Sequence, residues 1–216
     1  ADNAETIARS LAGRLPDDPV VASALGRTLL LRSGEIREAA GERAAVAIAA
    51  DAAKELRRAA EGGRTDPETL RNLGLALEGA GRLDAAIEAY RRVGSEDPIA
   101  RLYLSLALLR ADRVEEAAGL LESLAGTRPD DAFVLAALAE TSFRMGDPDV
   151  AFERLDAAVG LAPDEVGIRI RRAALLRRSG RVRLAIESLA ALPAEVRSSR
   201  GVVQELTTGW LALDRP

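Results

Sequence analysis

Acidic residues stand together at Asp17-Asp18, Asp130-Asp131, Asp147 with Asp149, and Asp164-Glu165. Two carboxylates at such spacing can divide general-acid and nucleophilic roles in glycoside hydrolysis, or hold a hard divalent cation. Each pair, however, falls at a break between apolar-periodic stretches or just ahead of one. There a carboxylate accepts from free backbone N–H groups and favours the helix dipole. Recurrence at one structural position makes capping the expected role. The 216 residues contain no His and no Cys, which removes the usual general base, the commonest transition-metal ligands, a thiolate nucleophile and disulfides. The glycines sit singly at breaks and form no phosphate-cradling loop. No catalytic, cofactor or metal site is expected, and the chain is not expected to be an enzyme.

Arginine is the other chemistry-bearing residue. Thirty Lys and Arg oppose 34 Asp and Glu, and Lys54 is the single lysine. The arginine bias suggests a GC-rich bacterial genome. Seven arginines (Arg169, Arg171, Arg172, Arg177, Arg178, Arg181 and Arg183) crowd 166–186, a stretch without an acid. The net charge of −4 and the lack of interleaved aromatics argue against a nucleic-acid partner. A solvated helix with arginines near its C-terminus is the plain account of the cluster. An acidic peptide is the functional one, since guanidinium grips carboxylates bidentately. Arg110, Arg144 and Arg178 recur 34 residues apart and read as a structural ladder.

The elements that must carry these residues are helices. Apolar residues recur at three- and four-residue steps, as in Leu102, Leu106 and Leu109, or Val182, Ile186 and Leu189. No stretch alternates with period two for long enough to make a strand. Asp18-Pro19, Asp66-Pro67 and Asp97-Pro98 each offer an N-cap followed by proline at the first helical position. Hydrophobic residues make up 48% of the chain but aromatics only 3%, so the core is aliphatic and alanine-rich. No run reaches the ~18 apolar residues of a membrane-spanning helix, so no membrane insertion is expected. A cysteine-free chain suits bacterial cytoplasm and periplasm alike.

The chain also repeats itself. Ser10-Leu11-Ala12-Gly13 with Pro16-Asp17-Asp18 recurs as Ser123-Leu124-Ala125-Gly126 with Pro129-Asp130-Asp131. A small residue marks the phase at Ala4, Ala39, Ala86, Ala117, Ala151 and Ala185, at steps of 35, 47, 31, 34 and 34. A turn precedes each later one, at Gly34, Gly81, Asp112, Gly146 and Gly180. Ahead of the turns lie Leu25-Gly26, Leu73-Gly74, Leu104-Ser105 and Leu138-Ala139.

This pattern resembles the tetratricopeptide repeat, a helix–turn–helix unit of about 34 residues. The copy from Pro67 to Ala100 carries Asn72-Leu73-Gly74, Leu77, Gly81, Ala86, Tyr90, Val93 and Asp97-Pro98 at the family's positions. Arg172 and Arg43 depart from it, standing where the family places a packing leucine and a large apolar residue. The resemblance implies an all-α fold, a right-handed superhelical solenoid of stacked helix pairs. The expected boundaries are a truncated repeat at 1–18, repeats at 19–66, 67–97, 98–131, 132–165 and 166–199, and a capping helix at 200–216. In 19–66 the second helix is expected to be extended, one projecting helix from about Glu35 to Glu61. Its apolar side (Ile48, Ala49, Ala52, Ala53, Leu56 and Ala60) suggests either a partner contact or packing on the adjacent repeat. Trp210 is expected to pack against the last repeat, alongside Val202, Val203 and Leu206.

The resemblance further implies that the first helices line a concave groove. Its groove-facing positions map to Arg71, Asn72, Leu75, Leu102, Tyr103, Leu106, Leu109, Phe133, Phe143, Arg171 and Arg178. An apolar floor with arginine at one end suits an amphipathic helix or an extended, acidic peptide. The family's carboxylate clamp is not supported, because Ser23, Arg27, Ile99 and Tyr103 flank Asn72 where the clamp needs Lys, Asn and Arg. The expected function is a non-enzymatic protein–protein scaffold without cofactors. The alternative is a structural or targeting segment of a larger bacterial cell-envelope or polysaccharide-export protein, or an accessory domain of a transferase. The start at Ala1 in place of Met, with a truncated first repeat, motivates that alternative. A weak homodimer through the N-terminal end is also expected, from Ile7, Leu11 and Leu15 together with Ile48 and Leu56.

Overall fold

The computed structural model describes residues 2–213, and among these every regular element is a helix. The chain divides into two compact units, residues 1–113 and 114–216. The first unit holds α1 (Asp2–Arg14), α2 (Pro19–Ala39), α3 (Glu42–Glu61), α4 (Pro67–Gly79), α5 (Leu83–Val93) and α6 (Pro98–Arg110). The second holds α7 (Val114–Thr127), α8 (Ala132–Arg144), α9 (Pro148–Leu161), α10 (Val166–Arg178), α11 (Val182–Ala190), α12 (Ala194–Arg197) and α13 (Arg200–Leu213).

The helix starts are written in aspartate. Asp18 accepts from the N–H groups of Val20 and Val21, Asp66 from Thr69, Asp97 from Ala100, Asp131 from Phe133 and Val134, and Asp147 from Val150. Each satisfies donors that a helix leaves free in its first turn. In three of the four acidic pairs one member, Asp18, Asp131 or Asp147, is therefore a cap, whereas Glu165 at the start of α10 makes no side-chain cap bond. Among the described residues no group of His, Cys, Asp or Glu is placed to hold a metal ion.

The turns between paired helices share one closure. The N–H of Arg82 bonds to Leu77 O, Arg113 to Leu108 O, Asp147 to Ser142 O and Arg181 to Leu176 O. This is the six-to-one bond of a Schellman motif. It places the preceding residue in left-handed backbone, at Gly81 (φ 73°), Asp112 (φ 59°), Gly146 (φ 90°) and Gly180 (φ 82°).

The expected turn at Gly34 and the single helix over 35–61 are both corrected. Gly34 lies inside α2, and the chain reverses at Ala40-Gly41, where Gly41 has φ 90°. The marker of the repeat is Ala52, fully buried and 34 residues before Ala86. Ala39 is exposed at the end of α2. Gly26 and Ala52 are 26 residues apart where their counterparts Gly74 and Ala86 are 12 apart. The fourteen extra residues lengthen the first arm by eight and the second by seven, and the connection is one residue shorter. Seven or eight residues are about two helical turns, so the apolar face of each arm stays in phase. Arg43 then no longer occupies a core position; Leu56 does, 34 residues before Tyr90, and both are buried.

Packing follows from the small residues. In the α2–α3 hairpin a Cβ on Gly26 would lie 2.6 Å from Leu56 Cγ. In the α4–α5 hairpin a Cβ on Gly74 would lie 2.3 Å from Tyr90 Cε1. Glycine at these positions lets a large partner side chain lie directly on the first helix. The stripe Ala49, Ala52, Ala53, Leu56 and Ala60 of α3 is buried, with α3 packed on both α2 and α4. It is core, and no partner surface remains on it. In the second unit, Ala136, Ala139, Ala151, Leu155, Ala158, Ile168, Ala173, Leu175, Leu176 and Leu189 form the core.

The last helix contacts α10 and α11 through Val202, Leu206 and Gly209. Trp210 does not pack there; it is 57% exposed, and Val203 shares its outward side. The reason is Gly209, where a Cβ would meet Ile186 Cγ1 at 2.9 Å. The helix approaches on its small residue and turns the indole outward.

Candidate functional site

In the first unit, α4 touches α2 on one side and α6 on the other, so these three first helices share a layer. Asn72 and Leu75 of α4 are half-buried, as are Leu102, Tyr103 and Leu106 of α6. Leu109 is buried and belongs to the core, so it offers a ligand nothing. Tyr103 lies 5.8 Å from Tyr90 between ring centres, with the planes tilted by 31°. The buried Tyr90 hydroxyl donates to Glu78 Oε1 at 2.8 Å. Burial and the neighbouring Glu78 carboxylate push the Tyr90 pKa far above the ordinary tyrosine value.

Ion pairs link the helices of this layer. Arg27 of α2 pairs with Glu68 of α4 at 2.7 Å. Arg71 of α4 pairs with Asp97 at the start of α6, and Arg110 of α6 returns to Glu78 of α4. Pairs between neighbouring helices fix their register; the exposed Arg27–Glu68 pair contributes little to stability, whereas Arg71–Asp97 is part-buried.

In the second unit the balance differs. Arg144 of α8 donates to Glu140 Oε1 at 2.6 Å, and Arg178 of α10 donates to Glu140 Oε1 and Oε2 at 2.8 and 3.0 Å. The Arg178 guanidinium also lies over the Phe143 ring, 4.6 Å from its centroid. The half-buried Arg171 on α10 feels the Glu140 field as well. Burial draws its pKa below the usual arginine value, and Glu140 opposes that shift. Phe133 is half exposed on α8, beside a cleft of about 530 Å³ edged by Arg128, Pro129 and Asp130.

The expected ladder is thus structural, since Arg110, Arg144 and Arg178 each close on a glutamate. The other arginines of the basic stretch are largely occupied too. Arg172 pairs with Asp156 and Arg177 with Glu205, both at 2.7 Å. Arg169 donates to Pro163 O, and Arg181 lies over the Phe152 ring. Arg172 therefore departs from the repeat pattern without burying an unpaired charge.

A second cleft, of about 510 Å³, is edged by Lys54, Arg57, Arg58 and Arg82 with Asp51 and Glu61. Sequence patterning does not single it out, because its cations come from α3 and from the turn ahead of α5.

Models of the tetratricopeptide repeat match residues 46–96, 91–132 and 137–199. The chain belongs to the tetratricopeptide repeat family. Tetratricopeptide repeats are in general protein–protein interaction scaffolds. No curated protein matches this chain. Among solved structures, a chain of the APC/C hetero-tetramer Cut9–Hcn1 is similar over the whole of it, with TM-score 0.69 at 16% identity. This tetratricopeptide chain spans only 41% of the length of that one. A thermophilic tetratricopeptide protein of Thermus thermophilus has TM-score 0.65 at 20% identity, covering 87% of this chain and 98% of that one. MamA of Desulfovibrio magneticus has TM-score 0.51 at 20% identity, covering 85% and 96%. At such identities the likeness is one of fold.

Proposed function

We propose that this tetratricopeptide chain is a non-enzymatic scaffold that holds a peptide or helix of another protein on its first-helix faces. One observation carries the reading. In the first unit, apolar side chains at corresponding positions of α4 and α6 stay partly uncovered, Leu75 and Leu106 recurring 31 residues apart with Leu102 and Tyr103 beside them; in the second unit, Phe133 of α8 is half exposed. Helix faces of this kind accept an amphipathic helix or an extended segment through spaced apolar anchors. The ordinary scaffold role of the family supports it, and so does the engagement of the recurrent aspartates in caps, where they are not free for catalysis. Among the described residues no helix is long and apolar enough to cross a membrane.

The test is capture of partners by the full chain and by a Phe133→Ala/Phe143→Ala/Arg171→Ala variant, each partner then being purified and its affinity measured directly. Loss of at least tenfold in affinity with unchanged helicity is expected. A partner held equally well by the variant rejects the second-unit face.

A further inference from the structure

Helix α13 stands in repeat register with the first helices. It starts at Arg200, 34 residues after the start of α10 at Val166, and its Val202 and Gly209 are buried as are their counterparts Ile168 and Leu175. The other side of a first helix meets the second helix of its own hairpin. A Cβ on Gly74 would strike the Tyr90 ring, so this position of α4 faces α5. Its counterpart is Ala173 in α10 and Thr207 in α13. Three residues further on, Leu77 and Leu176 are buried in the α4–α5 and α10–α11 hairpins. Their counterpart in α13 is Trp210, which is 57% exposed.

This uncovered side has the chemistry of a contact surface. Val203, Thr207, Trp210 and Leu211 are all exposed on α13. From Gly201 to Leu213 the single charged residue is Glu205, and it is paired with Arg177. Thr207 and Thr208 donate their hydroxyls to the carbonyls of Val203 and Gln204, both at 2.8 Å, so these donors are satisfied within the helix. Terminal helices of stacked arrays ordinarily turn a polar face outward. A membrane surface fits less well, because an interfacial helix carries Lys and Arg on its polar face. No cation lies between Gly201 and Leu213.

We infer that α13 accepts an amphipathic helix of a partner protein, one that bears the pattern of this chain's own second helices and completes a hairpin in trans. The pattern reads Ala86-Tyr90-Val93, Ala151-Leu155-Ala158 and Ala185-Leu189-Leu192: a small residue, a large apolar one four later, and an apolar one three beyond that. Thr207 stands where Gly74 faces Tyr90, so the large residue of the partner is no bigger than leucine. The docking face of the partner is uncharged, since a charge buried on α13 would find no counterpart. A second copy of this chain is a poorer occupant. Its α5, α9 and α11 already bury this pattern in their own hairpins. In the register set by Ser10-Leu11-Ala12-Gly13 and Ser123-Leu124-Ala125-Gly126, α1 carries Ala8 where Leu121 supplies the large residue, and Ala8 is buried. Two copies meeting through α13 alone would bury several hundred Å² in all, short of the roughly 1,200 Å² at which stable interfaces begin. The inference concerns a different face from the scaffold reading and does not depend on it.

Trp210 is the chain's only tryptophan, so its emission reports coverage of this side directly. The probe is a synthetic peptide of residues 147–162, which contains Ala151, Leu155 and Ala158 and no tryptophan. A hydrocarbon staple between its exposed positions 153 and 157 holds it helical. Titrated into the full chain, it should shift Trp210 emission to shorter wavelength and saturate. Leu155→Asp in the peptide should weaken binding at least tenfold, and so should Thr207→Arg in the chain, with circular dichroism establishing that the variant remains folded. Phe133→Ala/Phe143→Ala/Arg171→Ala should bind the peptide as wild type does, which separates this face from the one proposed above. Emission that stays that of an exposed indole up to ~1 mM peptide, the weak limit of a specific contact, overturns the inference. So does a shift that the Leu155→Asp peptide produces equally well. A shift on concentrating the chain alone assigns the face to a second copy, and a shift with phosphatidylcholine vesicles but not with the peptide assigns it to a membrane; either outcome overturns the partner helix.

Discussion

Gly74 faces Tyr90 so closely that a methyl group at 74 would lie 2.3 Å from the ring, and Gly26 stands to Leu56 in the same relation at 2.6 Å. Corresponding positions of two hairpins thus solve one packing problem with one pair of choices, a missing side chain opposite a large one. Gly74→Ala is expected to destabilise the fold by about 1–3 kcal/mol, the usual cost of overpacking. Its intrinsic gain in helix propensity, about 1 kcal/mol, works in the opposite direction. Urea denaturation of the full chain measures the balance. A variant as stable as wild type would mean that Tyr90 moves aside freely, which its buried hydroxyl bond to Glu78 opposes.

Tyr90 also makes stability depend on alkaline pH. Its folded-state pKa is raised, by burial first and by Glu78 second, while in the unfolded chain it titrates near its ordinary value of 10.0. The folded state therefore holds this proton where the unfolded state releases it. The contribution is complete below pH 10 and declines as pH rises above it, by up to about 1.4 kcal/mol per unit. Tyr90→Phe should remove that slope. At neutral pH it should cost about 1.5–3 kcal/mol, since the partner lost is a charged one. Melting curves of the two proteins between pH 8 and 11 provide the measurement, and parallel profiles contradict the assignment.

At the start of α4, Asp66 is held below the usual aspartate range. Burial pushes it upward, but the Thr69 N–H and hydroxyl and the nearby Arg64 outweigh that. A depressed pKa means that the stabilisation is present above the unfolded value of 3.8 and is lost as acid protonates the cap. Asp66→Ala is expected to cost about 0.5–2 kcal/mol at pH 7, as N-cap removals do. The difference between the two proteins should shrink toward pH 3. A constant difference across that range would assign the effect to helix propensity and not to the cap.

Much of this fold is legible in the sequence because its signals are local. An Asp-Pro start and a turn residue with positive φ act within four or five residues, and Gly81, Asp112, Gly146 and Gly180 all stand where the repeat phase places them. Gly34 misleads because lengthening each arm of the α2–α3 hairpin by about two helical turns preserves the apolar phase. A glycine eight residues after Gly26 then mimics the turn seven residues after Gly74. Trp210 misleads for another reason. Val202 with Gly209 and Val203 with Trp210 are two adjacent lines of one helix, and the line carrying the smaller residue wins the contact. The convergence on Glu140 is beyond pattern altogether, since Arg178 and its acceptor are 38 residues apart. Leu109 misleads as a groove residue because its helical spacing from Leu102 and Leu106 does not tell which of the three turns inward.

The expected N-terminal dimer illustrates how burial revises a surface. Leu56 is fully buried and cannot supply the contact that the sequence suggests, and Ile48 is partly covered. What remains is α1, whose Ala8 and Glu5 face α2, with Arg32 of α2 pairing to Glu5. This leaves Ile7, Leu11 and Leu15 outward, 54%, 39% and 48% exposed. Full burial of such a side chain is worth about 1.5–3 kcal/mol, and roughly half of each is still available. The sum, on the order of 2–4 kcal/mol per copy and about 4–9 kcal/mol for the pair if all three are covered, is largely offset by association costs of about 4–15 kcal/mol. Sedimentation equilibrium at ~100 μM should therefore find this chain predominantly monomeric, and Ile7→Asp/Leu11→Asp should leave its mass unchanged. A dimer that those two charges dissolve would show that α1 recruits more surface than its own three leucine and isoleucine side chains.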